Sequence, residues 1–98
     1  MLSMTSENSI TALRMASING HVECVKELLA VKVDLNKADE GGWTPLICAS
    51  YFGRLEIVKL LLAAGAKKDK ITTSGHTALT IATEDGHHEI AQLLQQGA

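Results

Sequence analysis

The stretch GWTPLICASYFGRLEIVKLLLAAGA, residues 42–66, sets the pattern of the whole chain and reads as a short helix, a glycine turn and a second helix. Its pattern returns after a shift of 33 residues (77 − 44), where Thr44, Leu46, Ala49, Gly53, Ile57, Leu60 and Leu61 become Thr77, Leu79, Ala82, Gly86, Ile90, Leu93 and Leu94. The same shift towards the amino terminus gives a weaker copy: Thr11, Leu13, Ala16, Gly20, Cys24, Glu27 and Leu28. A period of this size indicates a stacked array, in which each repeat completes its core only against a neighbour.

Length and charge narrow the classes of protein to consider. The 98 residues suit a single domain. The formal net charge of −2 disfavours a broad electrostatic grip on nucleic acid, so no nucleic-acid partner is predicted. The longest apolar run, residues 57–66, contains Lys59 and falls short of the roughly 18 apolar residues that span a bilayer, so no membrane association is predicted.

The two cysteines, Cys24 and Cys48, are too few for a disulfide scaffold. The amino terminus also lacks the basic region and apolar stretch of a secretory signal. These features predict an intracellular setting, cytoplasmic or nuclear.

Helical spacing of the apolar residues predicts six helices in three antiparallel pairs. The first predicted pair spans residues 11–18 and 22–31. The second pair has one helix that begins at residue 44 and one over 55–64, and the third pair spans 77–85 and 88–96. Residues 1–8 are predicted to be a leader, from which Leu2 and Met4 would cover the first pair. The helix at 55–64 is apolar nearly all round, which predicts a middle repeat buried between its neighbours.

These residues resemble the ankyrin repeat family across nearly the whole chain. The family pattern is roughly G-x-T-P-L-H-x-A-x-x-G-H-x-E-x-V-x-x-L-L-x-x-G-A, and the middle copy matches it at Gly42, Thr44, Pro45, Leu46, Ala49, Gly53, Glu56, Val58, Leu61, Leu62, Gly65 and Ala66. The flanking copies keep GHVE at 20–23 and GHHE at 86–89. The departures are alanine for proline at Ala12 and Ala78, and Arg14, Ile47 and Thr80 at the histidine position.

The resemblance implies an all-α ankyrin-repeat solenoid of three helix-turn-helix repeats with β-turn finger connectors. It implies one domain over residues 1–98, with repeats at approximately 6–38, 39–71 and 72–98. Family partners usually bind the concave side made by the finger tips and the first helices. Carried over by position, that side comprises Glu40, Gly41, Trp43, Tyr51 and Phe52, with Ile18, Asn19, His76, Glu84 and Asp85 from the outer repeats.

The chain's three aromatic residues, Trp43, Tyr51 and Phe52, all fall on these predicted exposed positions. Clustered exposed aromatic residues are typical anchors of protein interfaces. The alternative is that Trp43 or Phe52 packs against an adjacent repeat. The predicted partner-binding residues are Glu40, Trp43, Tyr51, Phe52, His76, Glu84 and Asp85, and the complementary partner would carry an apolar anchor flanked by basic residues.

Metal and catalytic sites have weaker support in the sequence. His21 and Cys24 are three residues apart, but a structural zinc site needs two further ligands. Neither Cys48 nor the pair His87 and His88 has a defensible ligand spacing. A cysteine nucleophile would also need a histidine partner, a third group and a pocket. We therefore expect neither a metal nor a cofactor.

The leading interpretation is a monomeric, non-enzymatic protein-interaction module. Two alternatives remain: a piece of a larger scaffold without independent activity, and an enzyme that uses Cys24 or Cys48. A modification is also predicted at Asn36, because Leu28, five further residues and then Asp34-Leu35-Asn36 resemble the sequence that asparaginyl hydroxylases favour in ankyrin fingers. The alternative there is an asparagine that bonds to its own turn.

Overall fold

A computed structural model describes residues 6–31 and 33–96, without the side chains of residues 6–8. Its helices are α1 (Ser6–Asn19), α2 (Val22–Ala30), α3 (Pro45–Tyr51), α4 (Leu55–Ala63), α5 (Ala78–Glu84) and α6 (His88–Gln95). Within these residues there is no β-strand. The prediction of an all-α chain with six helices in three pairs is confirmed.

The first helix begins earlier than predicted. The sequence predicts a leader over residues 1–8 and a helix that begins at Thr11, whereas α1 begins at Ser6. Ser9 and Ile10 are buried, so the extra turn contributes to the packed surface of the domain. The predicted role of Leu2 and Met4 lies outside the described residues.

Threonine caps start α3 and α5. Thr44 Oγ1 accepts a hydrogen bond from Ile47 N at 3.3 Å, and Pro45 follows at the first helical position, where its missing N–H costs no helical bond. At α5 the bonds are reciprocal: Thr80 N donates to Thr77 Oγ1 at 3.2 Å, and Thr77 N donates to Thr80 Oγ1 at 2.8 Å. Thr80, which departs from the family histidine, therefore caps its helix with a hydroxyl.

The helices form two layers, with α1, α3 and α5 in one and α2, α4 and α6 in the other. In the first layer α3 contacts both α1 and α5, and in the second α4 contacts both α2 and α6. The result is an elongated body of 42 × 25 × 25 Å. The largest core side chains of the middle pair are at most 1% exposed: Leu46, Ile47, Ile57, Val58 and Leu61. The middle repeat is thus buried between its neighbours, as its apolar pattern predicts.

Two connectors between the helix pairs form turns that we call the first finger (residues 33–43) and the second finger (residues 66–76). The tip of the first finger closes by bonds from Asp39 N to Trp43 O at 3.1 Å and from Gly42 N to Asp39 O at 3.0 Å. The second finger repeats this turn between Thr72 and His76. The two fingers are also bonded to each other, because Thr73 N donates to Gly41 O at 2.9 Å.

Truncation of Leu61 should test the buried middle repeat. Leu61 is 0% exposed, and a buried leucine replaced by alanine loses both its transfer free energy and its packing. We expect Leu61→Ala to lower the free energy of unfolding by about 2–5 kcal/mol in urea titrations. The exposed Lys59→Ala in the same helix is the control, with an expected change within about 0.5 kcal/mol. A loss below about 1 kcal/mol for Leu61→Ala would contradict the sandwiched core.

The close contact between the two fingers predicts that replacing Gly42 with alanine lowers the free energy of unfolding by more than backbone strain alone. Gly42 has φ +83°, and a Cβ there would lie 2.8 Å from Thr72 Cα. Gly75 has a similar φ of +86°, but a Cβ there meets no described atom within 4 Å. Both alanine variants suffer the left-handed backbone strain, of order 1 kcal/mol, and only Gly42→Ala must also push the fingers apart. Urea unfolding should show Gly42→Ala to be the less stable variant, and equal losses would contradict this explanation.

Candidate partner-binding groove

A groove of about 230 Å³ opens between the two finger tips and the carboxyl-terminal ends of α3 and α5. Several of its lining side chains offer apolar or aromatic surface, and others offer hydroxyl, imidazole or carboxylate groups. The lining residues are Trp43, Tyr51, Thr72, Ser74, His76, Ile81, Glu84 and Asp85. We refer to this surface as the aromatic–acidic groove.

The finger backbone holds Trp43 at one wall of the groove. The Asp39 carboxylate accepts hydrogen bonds from Gly41 N and Trp43 N, each at 2.9 Å. On the second finger, Thr72 Oγ1 accepts from His76 N at 3.1 Å, at the equivalent position of the repeat. An aspartate and a threonine thus fix the two groove-lining turns through the same kind of bond between a side chain and the backbone.

The three aromatic rings form a continuous cluster. Trp43 and Tyr51 meet edge to face with ring centroids 5.5 Å apart, and Tyr51 and Phe52 do so at 4.9 Å. Tyr51 and Phe52 are each 45% exposed. Trp43 is half-buried rather than exposed, because its indole packs partly against the core. The alternative in which an aromatic residue packs against the repeats therefore applies in part to Trp43.

A hydrogen bond from the third repeat fixes the backbone of Tyr51. His87 Nε2 lies 3.1 Å from Tyr51 O, a carbonyl that accepts the ring N–H. Arg54 makes the equivalent contact one repeat earlier, donating from Nε to Ile18 O at 3.1 Å. The junction between repeats thus positions the residue that forms a groove wall.

The opposite wall is acidic. Glu84 is the last residue of α5, and Asp85 follows it as the cap residue. Glu84 Oε1 lies 3.8 Å from His76 Nε2, and both side chains are substantially exposed. In the described part of the chain no lysine or arginine forms an ion pair with Glu84 or Asp85. The groove therefore presents two carboxylates that no lysine or arginine of the described residues neutralises.

The structure brings most of the predicted partner-binding residues to this groove. Trp43, Tyr51, His76, Glu84 and Asp85 line it, whereas Glu40 and Phe52 do not. Glu40 lies exposed in the turn at the tip of the first finger, and Phe52 lies beside Tyr51 at the end of α3. Of the residues carried over from the first repeat, Ile18 is half-buried and Asn19 exposed. Their role in binding stays a prediction.

Sequence reasoning did not single out Thr72, Ser74 or Ile81, which also line the groove. The signal was present in the repeat period, since Thr72 corresponds to Asp39 and Ser74 to Gly41 after a shift of 33 residues (72 − 39). Both positions lie on a finger tip, so extending the residue set to both fingers would have found them.

Asn36 contributes to the base of the fingers. Its side-chain Oδ1 accepts a hydrogen bond from Lys67 N at 2.7 Å, and its own N–H donates to Asp34 Oδ1 at 3.2 Å. The asparagine therefore bonds within its own turn and also bridges to the second finger. Hydroxylation of Asn36 stays a prediction.

The surroundings of Cys48 do not favour nucleophilic chemistry. Cys48 is buried in α3, and this burial, reinforced by the negative charge of Asp39, raises the pKa of its thiol to about 11. The reactive form of a cysteine is the thiolate, which this environment disfavours. Cys24 is exposed on α2. Within the described residues no three His, Cys, Asp or Glu side chains group together as metal ligands would.

Two protein-family models match the chain. A family model described as "Ankyrin repeats (3 copies)" matches residues 2–72, and one described as "Ankyrin repeat" matches residues 74–98. The chain belongs to the ankyrin repeat family. A comparison with curated proteins found no match.

Ankyrin repeats generally act as protein-interaction modules, and the family is generally non-enzymatic. The family assignment thus agrees with an open groove built from turns and helix ends. No helix in the described part of this ankyrin-repeat chain is long and apolar enough to cross a membrane. The repeat boundaries at about 38 and 71 stay predictions, although each predicted repeat contains one helix pair.

The raised pKa of Cys48 predicts a dependence of stability on alkaline pH. Well below pH 9 the thiol is protonated in both folded and unfolded chains, and its contribution to folding is complete. As the pH rises from 9 towards 11, the unfolded thiol ionises at its ordinary pKa of 9.0 while the folded thiol resists, so stability is lost. At pH 10 this loss should be about 1 kcal/mol.

Urea titrations at pH 8 and pH 10 measure the effect, with Cys48→Ala as the matched variant. All groups other than Cys48 are common to both proteins, so the difference in their unfolding free energies isolates Cys48. The amount by which the free energy of unfolding of the wild type exceeds that of Cys48→Ala should be smaller at pH 10 than at pH 8. The same difference at both pH values would mean that the Cys48 thiol ionises freely in the folded chain.

Proposed function

We propose that this chain is a non-enzymatic module that binds a partner protein or peptide through the aromatic–acidic groove. The observation that carries the proposal is the meeting of the Trp43 and Tyr51 rings with the carboxylates of Glu84 and Asp85 in one groove. Aromatic side chains supply large contact areas and are enriched at the energetic centres of interfaces. The hydrogen-bonded finger turns also reduce the conformational entropy that binding must remove.

The proposed partner carries an apolar anchor flanked by lysine or arginine. The exposed rings of Tyr51 and Phe52 offer a surface for the apolar anchor. The negative charges of Glu84 and Asp85 would pair with the basic residues of the partner, and Glu40 extends the acidic surface at the tip of the first finger. An apolar centre beside a charged rim is the usual construction of a specific interface.

The module is proposed to act as a monomer inside the cell, in the cytoplasm or nucleus. Its two free cysteines support a reducing compartment, because an oxidising one would leave Cys24 exposed to disulfide exchange. The buried, protonated Cys48 supports a binding role over thiol chemistry.

Replacement of the aromatic residues should weaken binding of the natural partner. A partner is first captured from cell extract on the immobilised domain, identified by mass spectrometry and purified for surface-binding kinetics. Trp43→Ala or Tyr51→Ala should cost about 2 kcal/mol of binding or more, mostly through faster dissociation. Glu84→Gln combined with Asp85→Asn should mainly slow association, and this effect should fade at high salt.

Met15→Ala is the matched control, since Met15 is 52% exposed and does not line the groove. Circular dichroism and urea unfolding establish that each variant is folded, which matters most for the half-buried Trp43. If folded Tyr51→Ala and Trp43→Ala variants bind like the wild type, the partner uses another face and the proposal is wrong.

A further inference from the structure

We propose that the aromatic–acidic groove receives an arginine side chain of the bound partner, with its guanidinium between the aromatic wall and the carboxylates of Glu84 and Asp85. This inference rests on the proposed function and specifies the chemistry of the residue that enters the groove. The apolar anchor then lies outside the groove, against the exposed ring of Phe52.

The charge balance of the groove favours a cation. Glu84 and Asp85 face it from the end of α5, and the described residues place no lysine or arginine within ion-pair distance of either. His76, the remaining ionisable wall residue apart from Tyr51, lies 3.8 Å from Glu84 and adds positive charge only when protonated. An apolar side chain seated here would desolvate two carboxylates without pairing them, which costs free energy. A phosphate or carboxylate ligand would be repelled.

The aromatic wall distinguishes arginine from lysine. Tyr51 is 45% exposed and stands nearly perpendicular to both Trp43 and Phe52, with interplanar angles of 87° and 89°. A guanidinium is planar and more weakly hydrated than an ammonium, so it stacks on aromatic faces while its N–H groups bind carboxylates in a fork. The Ser74 hydroxyl on the second finger offers a further acceptor for these N–H groups.

The size of the groove favours a side chain over a free small molecule. Its volume of about 230 Å³ lies below the range of roughly 300–1,000 Å³ that is typical of small-molecule sites. It is also open between the finger tips, which leaves a path for the peptide backbone that carries the side chain. These features together select an arginine within a polypeptide.

Blocked tripeptides test the inference directly, because they need no identified partner. The probes are acetyl-Gly-X-Gly-amides in which X is arginine, its neutral isostere citrulline, lysine or leucine, titrated into the ¹⁵N-labelled domain at low salt. The arginine peptide should shift the Trp43 indole N–H and the amides of Ser74, Glu84 and Asp85. The citrulline and leucine peptides should bind about fivefold more weakly or worse, because they lack the charge-assisted bonds. The lysine peptide should bind more weakly than the arginine peptide but more tightly than the citrulline and leucine peptides.

The paired substitution Glu84→Gln with Asp85→Asn should remove the preference for arginine over citrulline, and so should added salt. Glu27→Gln with Glu56→Gln is the control, since it removes two exposed carboxylates that do not line the groove. Equal shifts from arginine and citrulline, or tighter binding of leucine, would overturn the inference.

The outcomes also separate this inference from the proposed function. If the arginine preference is absent but the folded Tyr51→Ala variant loses the natural partner, the groove binds protein through other chemistry and only the arginine assignment fails. If the folded Tyr51→Ala and Trp43→Ala variants both keep the natural partner, the proposed function fails, whether or not the tripeptides show the arginine preference.

Discussion

Burial of the middle helix pair between two neighbours is the constraint on which this structure depends. Ile57, Val58 and Leu61 are 0% exposed, although they belong to one nine-residue helix. An isolated helix of that length is marginal in water, so its stability comes from contacts with α2, α3 and α6. The outer repeats are needed to bury the middle one, and the middle one supplies the apolar surface on which they fold. The domain is therefore expected to unfold as one unit.

This dependence between repeats also builds the groove. His87 bonds to the carbonyl of Tyr51, and its ring packs where a Cβ on Gly53 would come within 2.8 Å. Gly42 allows the second finger to approach just as closely, and Thr73 then bonds across to Gly41. The groove walls are contributed by residues far apart in the chain, and the bond from His87 that holds the Tyr51 wall also joins two repeats. Binding geometry and repeat stacking thus share this interaction.

The sequence predicted the fold well because the repeat period and the helical apolar spacing are local signals. Thr44 and Pro45 marked a helix start, and the apolar circumference of residues 55–64 indicated burial on several sides, as α4 shows. The early start of α1 was missed because Ser9 and Ile10 precede Thr11, where the predicted helix begins, and their burial depends on tertiary contacts. Thr80 illustrates the same limit, because the sequence shows its departure from the family histidine but not its reciprocal bonds with Thr77, which depend on the folded backbone.

The candidate site was less predictable, since a groove depends on how neighbouring repeats meet. Position in the repeat brought Trp43, Tyr51, His76, Glu84 and Asp85 into one set, and these do line one groove. It gave no means of telling that Glu40 and Phe52 lie outside the groove lining, or of judging how deeply Trp43 is buried. Ring contacts and burial depth arise from side-chain packing, which a repeat alignment does not contain.

Differences between the second and third repeats explain why the groove can be polar on one side. Where the middle repeat has the buried Ile47 and the half-buried Leu62, the third has the exposed Thr80 and Gln95. These positions of the third repeat are therefore polar where those of the middle repeat are apolar. Glu84 and Asp85 belong to this polar repeat, whereas Trp43 and Tyr51 belong to the apolar one. The junction between them is thus where an aromatic wall meets an acidic wall, and Trp43 connects the core of the array to the surface proposed to bind.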